Sequence, residues 1–401
     1  MKKYVLILGL FLFVQGFVFT QQEQKPDKVY SIKTKCYPVE WYEQQAKLWK
    51  NEINKNKKNA DAWLNFYTAN RMYKMLNSNM WLDSKKDYFQ ELNSIVDSLG
   101  KELPDSFEYN YLKYRNSFNI SDENFKYLMK AYNSAPERSE TYEEFMTYYE
   151  VKNDLNNLTK YSKKLFDANG ISLGILAWNY NVLMSLDENA ILITNGDNDT
   201  YPIWLIQNSL NIRPDVKVFN ISLLTIDKYR KTKFSENNIP EFDFKFDKED
   251  KSKNITVQLY KSIIDHLVKN HGKNPLYFAL TLYIDYYKKH ENNLFLTGTA
   301  FKYSSKNFDN IAVMKKNYEQ KFLMDYLKIE LQKDISESVL KQINLNYLPM
   351  LIKLRSHYLL SGENFKIPVI DNLILKISSD TSMEEEVKKA IQSGNFDKIG
   401  F

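Results

Sequence analysis

The hydrophobic period of this chain changes near Ala190, and that change constrains the fold more than any other feature. Before it, apolar residues recur at three and four positions, with little Gly or Pro to interrupt them, which predicts α-helices. After it, Ala190-Ile191-Leu192-Ile193-Thr194 is a short continuous apolar run, as expected of a strand buried on both faces. A polar turn, Asn195 to Thr200, separates it from Pro202 to Leu210, which reads as a helix with Pro in its first turn. Val216 to Leu224 is a second strand, so a strand-helix-strand unit with parallel strands is predicted. A charged stretch follows, Lys228 to Asn254, in which Phe242, Phe244 and Phe246 alternate with charge as in a half-exposed edge strand. Then come a helix over 255–270, a third strand at Leu276 to Leu280 and a short fourth at Leu294 to Leu296. From about Asn310 the pattern is helical again, with one helix ending at Ser361-Gly362 and a last one from Ser382 to Gln392. The expected fold class is α/β plus all-α: helices over 37–186, a small parallel-sheet α/β domain over 187–305, and C-terminal helices over 306–401.

Within the first helical region, Trp63, Phe66, Tyr67 and Asn70 lie on one face, opened by the cap residues Asn59-Ala60-Asp61. Tyr142, Phe145, Tyr148 and Tyr149 repeat that spacing after Ser139-Glu140. Phe125 to Ala135, closed by Pro136, resembles the second helix of a tetratricopeptide unit. Leu158 to Ala168, stopped by Asn169-Gly170, follows roughly one period of about 34 residues later. A tetratricopeptide-like helical-repeat region and a plain helical bundle both fit this pattern. Stacked helix pairs leave a concave surface, which serves either as a docking groove for a protein or glycan or as a scaffold for the next domain.

The chain opens Met1-Lys2-Lys3, then the apolar run Tyr4 to Phe13 and Val14 to Phe19, broken by Gln15-Gly16. A positive start and a short apolar stretch predict a signal peptide over 1–22, with cleavage near Thr20 to Gln22. The run is shorter than the roughly 20 apolar residues of a spanning helix. The expected location is therefore the periplasm or the medium, with an uncleaved inner-membrane anchor as the alternative. The single cysteine, Cys36, lacks a lipidation box and excludes an internal disulfide, so the core alone must hold the exported protein. Net charge is +5 with both signs interspersed, which gives no electrostatic case for nucleic acid. The many tyrosines suit helix-helix seams as well as binding surfaces.

Ligands of open α/β sheets sit beyond the carboxyl ends of the strands. Those ends are polar here: Asn195, Asp197, Asp199 and Thr200 after the first, Asn220 and Ser222 after the second, Thr281 and Asp285 after the third. Neighbouring strands would bring these groups together. Asp197 and Asp199 are the candidate ligands of a divalent cation such as Ca²⁺ or Mg²⁺. The same carboxylates fit sugar hydroxyls or an acid/base pair. The competing reading is that Asp197 to Thr200 only cap the following helix, each acidic group contributing about 0.3–1 kcal/mol. Asp197-Asn198-Asp199-Thr200 is one place short of the Asp-x-Asp-x-Thr motif of haloacid-dehalogenase phosphatases. The four histidines form no His-Glu-x-x-His zinc motif, and His266 with His271 reads as a solvated helix end. No Gly-x-Ser-x-Gly elbow, phosphate loop or dinucleotide fingerprint is present.

Gly196-Asp197-Asn198-Asp199-Thr200-Tyr201-Pro202-Ile203-Trp204, followed by Arg213-Pro214-Asp215-Val216 and Asn220-x-Ser222-Leu223-Leu224, resembles the water-exposed C-terminal region of bacterial protein O-mannosyltransferase-like membrane proteins of the GT-C type. Pro275 to Ala279 and Leu294 to Tyr303 extend the resemblance to roughly residues 173–365. In that family the catalytic carboxylate and the donor site belong to the membrane bundle, which the resemblance does not cover. It therefore implies a relative of the soluble portion, not transferase activity. The expected function is an exported accessory protein of the cell envelope with a protein or glycan partner. The alternative is a metal-dependent enzyme acting on saccharides through Asp197 and Asp199.

Overall fold

The computed structural model describes residues 25–77, 86–117, 119–247, 254–329, 333–396 and 399. The expected signal peptide, residues 1–22, lies outside the described residues. Among the described residues there are 17 α-helices and five strands. The first seven helices are α1 (Val39–Lys55), α2 (Ala60–Asn77), α3 (Lys86–Glu102), α4 (Phe107–Asn116), α5 (Asp122–Ser134), α6 (Glu140–Val151) and α7 (Leu155–Asp167). Their most extensive contacts join α1 to α2, α4 to α5 and α6 to α7, so the region is built of helical hairpins.

Short polar caps set where these helices start. Ser106, Ser121 and Asp154 each accept a hydrogen bond from a backbone N–H three residues on. Left-handed Asn153 and Asn169 turn the chain between them. Aromatic rings fill the seams, as the tyrosine content suggested. Phe145 stacks on Tyr161 at 4.1 Å between α6 and α7, and Phe125 stacks on Tyr148 at 3.8 Å between α5 and α6.

The helix α8 (Leu173–Met184) leads into the sheet. Its strands are β1 (Ile191–Thr194), β2 (Lys217–Asn220), β3 (Leu276–Ala279), β4 (Leu294–Leu296) and β5 (Ala300–Tyr303), in the order β2-β1-β3-β5-β4. The first three are parallel, as predicted, because helical crossovers connect them: α9 (Tyr201–Leu210) between β1 and β2, then α10 (Asp227–Glu236) and α11 (Ile255–Asn270) before β3. The sheet as a whole is mixed, which corrects the expectation of a parallel one. The fourth run is the first arm of a hairpin, and β5 pairs antiparallel to both β3 and β4. Three residues, Thr297-Gly298-Thr299, are too few for a crossover, so the chain must double back. Gly298 has φ +149, and a Cβ there would lie 2.4 Å from Ser185 Oγ, so only glycine fits against α8.

Residues 241–247 form no strand. Phe242 instead packs on Arg230 and His266, and the His266 ring stacks on Phe234 while its Nε2 meets the Pro240 carbonyl at 2.9 Å. His266 is thus part of a packed seam, not the solvated helix end expected.

Period-two alternation splits the buried strands between two cores. Ile191, Ile193, Phe219, Leu276 and Phe278 face a core with α10 and α11. Leu192, Val218, Tyr277 and Ala279 face the other, which continues through α6 to α9 into the C-terminal helices. Those helices are α12 (Asn310–Gln320), α13 (Asp325–Lys328), α14 (Glu337–Asn344), α15 (Leu348–Leu360), α16 (Ile367–Ser378) and α17 (Glu384–Ser393). The larger core therefore crosses both expected boundaries, 186/187 and 305/306. The change of period separates classes of element, while burial joins them.

Candidate binding site at the end of the central strand

β1 lies between β2 and β3, so three polar strand ends meet, as neighbouring strands require. Asp199 is at their centre and only 2% exposed. Its carboxylate accepts from the backbone N–H of Asn195 (Oδ2, 2.7 Å) and of Gly196 (Oδ1, 2.7 Å), and from the Thr281 hydroxyl. Burial pushes this carboxyl above its usual range, against the opposing pull of those donors from Asn195, Thr281 and Gly196. Thr200 Oγ1 lies 2.8 Å from Thr194 Oγ1 and accepts from Asn220 Nδ2 at 3.0 Å. Asn220 Oδ1 in turn accepts from the backbone N–H of Ser222 (2.9 Å) and Leu223 (3.0 Å), closing the turn after β2. The Ser222 hydroxyl points elsewhere, to Tyr260 Oη at 3.1 Å. Asn195, Asp199, Thr200, Asn220 and Thr281 thus converge, while Asp197 and Ser222 stand outside the cluster.

Thr200 is the first residue before α9, but its side chain makes no cap bond to that helix. The Asp199 carboxylate reaches back to the strand end, not forward to the helix. The loop is closed upon itself because a carboxylate at this depth must be satisfied where it is.

Asp197 turns outward, with 47% of its side chain exposed, and its Oδ2 is 3.7 Å from Lys33 Nζ. Lys33 also pairs with Glu143 of α6 and lies 5.5 Å from the centre of the Tyr201 ring. Burial alone would depress the Lys33 ammonium. Glu143 and Asp197 outweigh it and raise the pKa, so this lysine stays charged. Tyr201 accepts from Thr147 Oγ1 at 2.9 Å, and burial raises its phenol well above the usual value. Asn198 Nδ2 donates to the Lys33 carbonyl at 3.1 Å, so the turn at residues 32–34, before α1, is laced directly to the loop. The cleft over this face has a volume of about 50 Å³, room for water but not for a sugar ring.

Lys33, Glu143 and Tyr201 were not singled out from the sequence. Lys33 and Glu143 are 110 residues apart, and no local pattern links them. Among the described residues no group of three or more His, Cys, Asp or Glu side chains is placed to hold a metal ion. Asp197 and Asp199 face different partners, one a lysine and the other backbone N–H groups. The Asp-x-Asp-x-Thr likeness does not carry into this geometry either, since the second aspartate is an internal cap.

The Arg213-Pro214-Asp215 block proves to be a clamp. Arg213, itself left-handed at φ +51, binds Asp215 through two bonds of 2.9 Å. The same guanidinium donates to the carbonyls of Leu183 (2.6 Å), Leu186 (3.0 Å) and Asp187 (2.6 Å), closing the C-terminal end of α8. The Arg213 bonds hold the Asp215 carboxyl down at about 2.

The clamp, the Asp199 loop and the Gly298 hairpin are the segments that carried the family likeness, and all three lie in one stretch. Residues 176–355 match the family model of the TMEM260-associated domain 2. That family is linked to TMEM260, a protein O-mannosyltransferase-like membrane protein. The matched residues take in the whole sheet, both crossovers and the C-terminal helices into α15. No curated protein matches the chain. Among the described residues no helix is long and apolar enough to cross a membrane.

Proposed function

We propose that this chain is an exported accessory protein of the bacterial cell envelope that binds a glycan, alone or on a protein partner, without transforming it. The observation that carries this reading is the state of Asp199. The most buried acid of the signature loop directs both its carboxylate oxygens at groups of the fold, at Asn195, Gly196 and Thr281. A general base or nucleophile needs a lone pair directed at a substrate, and a metal ligand needs one directed at the ion. The loop is better suited to hold the carboxyl ends of three strands in register than to do chemistry. The resemblance to the soluble part of O-mannosyltransferase-like proteins supports a glycan-related setting, and the helical hairpins of α1 to α7 supply a surface for a partner.

The test is binding with product analysis. Purified full-length protein is incubated with neutral trisaccharides (maltotriose, cellotriose and mannotriose). Binding is followed by calorimetry and products by chromatography, with and without Mg²⁺ and Ca²⁺. The expected result is saturable binding with the sugars recovered intact. Cleavage or transfer in the presence of either ion would overturn the accessory reading in favour of a metal-dependent enzyme. Export is checked separately. The gene with its own leader is expressed in a bacterial host, and a chain that keeps Met1 and stays in the cytoplasm sinks that part of the proposal.

A further inference from the structure

The C-terminal helices hold an open pocket of about 390 Å³, none of whose lining residues belongs to the signature loop. That volume falls within the roughly 300–1,000 Å³ of small-ligand sites. Its walls are Tyr318, Phe322, Tyr358 and Phe365, and its polar groups are Glu319 and Lys366, with Asp325 and Lys328 also in the lining. Phe365 is 78% exposed and Val369, also in the lining, is 51% exposed. Large apolar side chains left open beside convergent polar groups mark a binding surface more often than a packing fault.

The polar groups are arranged in compensated pairs. Glu319 Oε1 accepts from Tyr358 Oη at 2.7 Å and from Lys366 Nζ at 2.5 Å. Lys366 also donates to Glu363 at 2.6 Å, and Lys328 pairs with Asp325 at 3.1 Å. Both donors to Glu319 fall on the same oxygen, so among the described residues Oε2 has no donor and keeps its lone pairs. Lys366 has a third N–H, and its Nζ lies 4.8 Å from the centre of the Tyr358 ring and 5.7 Å from that of the Phe365 ring. A free carboxylate oxygen and a free ammonium N–H sit on one ion pair, next to an open aromatic face.

A phosphate or a carboxylate gains little from a lysine already neutralised by two acids, and a cation gains little from a glutamate already paired. A neutral polyhydroxyl compound gains from both. One hydroxyl donates to Glu319 Oε2, its neighbour accepts from Lys366, and the C–H face of the ring lies on Phe365. We infer that the pocket between α12, α13, α15 and α16 is a binding site for a neutral pyranose unit. Phe365 is its stacking platform, and the Glu319–Lys366 pair reads a vicinal diol. This rests on the glycan-binding reading above and assigns it a place, in residues other than those of the strand-end loop.

The test uses the full chain and the same three trisaccharides, with glucose 6-phosphate as an anionic probe. Phe365→Ala removes an exposed ring and Glu319→Gln removes the charge while keeping an acceptor for Tyr358. Each is expected to weaken trisaccharide binding about tenfold or more. Asp197→Asn, at the strand-end cleft, is expected to leave it unchanged. Trisaccharide binding that survives both pocket changes would overturn the assignment while leaving the glycan-binding reading intact. Tighter binding of glucose 6-phosphate than of any neutral sugar would overturn the neutral-ligand argument. No binding of any sugar by the unaltered protein would overturn both. Thermal melts of the variants guard against misfolding, and a variant that melts with the unaltered chain yet loses binding supports the site.

Discussion

Two polar clusters in this protein use similar residue types to opposite ends. Around Asp199 every participating group bonds another member of the fold: two backbone N–H groups, three threonine hydroxyls and an asparagine amide. Around Glu319 the pairs lie at the surface, one carboxylate oxygen has no donor among the described residues, and the Phe365 ring beside it remains open to solvent. Burial decides the difference. Asp199 is 2% exposed, where an unmet lone pair would cost about 1–3 kcal/mol. Glu319 has 27% of its side chain exposed, where water can satisfy what the protein does not. A conspicuous acidic motif therefore serves the fold, while an inconspicuous pair on two helices is left able to meet a ligand.

That contrast can be broken by substitution, and the loop should give the largest effect. Asp199→Ala leaves the Asn195 and Gly196 N–H groups and the Thr281 hydroxyl unmet in the interior. A loss of about 3–5 kcal/mol in urea unfolding is expected. A loss below about 1 kcal/mol would mean that the loop is not the structural element described here. The pH dependence carries the sign. The folded pKa of Asp199 is raised, so its contribution is greatest in acid and declines as pH rises through the folded value.

Asp215 gives the opposite slope. Its folded value is about 2 against a reference of 3.8, so its stabilisation is present above the reference and lost as pH falls towards 2. Discounted for solvent screening, Asp215→Asn should cost about 1 kcal/mol at neutral pH and almost nothing at pH ~2, measured by thermal melts across that range. Asp197→Asn should cost no more than about 0.5 kcal/mol, because the side chain is half-exposed and Lys33 keeps Glu143. Phe365→Ala should change stability least, within about 0.5 kcal/mol, since the ring is 78% exposed. Its consequence is expected in sugar binding instead. A large loss of stability from Phe365→Ala would show that the ring packs and would blur the distinction between the two clusters.

Much of the architecture was readable from local pattern. The 255–270 helix, the short runs at 191–194 and 276–279, and the Gly362 stop after α15 all follow from hydrophobic period and turn residues. Local pattern failed where a distant element decides. Phe242, Phe244 and Phe246 alternate like a strand, yet Phe242 packs on Arg230 and His266, in α10 and α11, and residues 241–247 pair with no strand. The fourth strand was legible, but its antiparallel sense was not, since Leu294 to Leu296 looks the same in either direction. The candidate site was legible as a set of residue types: Asn195, Asp199, Thr200, Asn220 and Thr281 do meet. What they do there was not legible, because hydrogen-bond direction does not appear in residue order. Lys33 and Glu143 left no signal and Tyr201 stood only as one residue of the family block, since α6, α9 and the segment before α1 meet only in the folded chain.

Local pattern sets where helices give way to strands and that polar groups gather at the strand ends. Those are consequences of period and of adjacent residue types, which act over a few positions. Only the tertiary structure decided which of two neighbouring aspartates is internal. Asp199 is enclosed by Thr281, 82 residues away, and Asp197 is held near Lys33, far back in the chain. The depth of a carboxylate, and therefore whether its lone pairs hold the fold or remain for a ligand, is set by what packs over it. In this protein the elements that pack there come from distant parts of the chain.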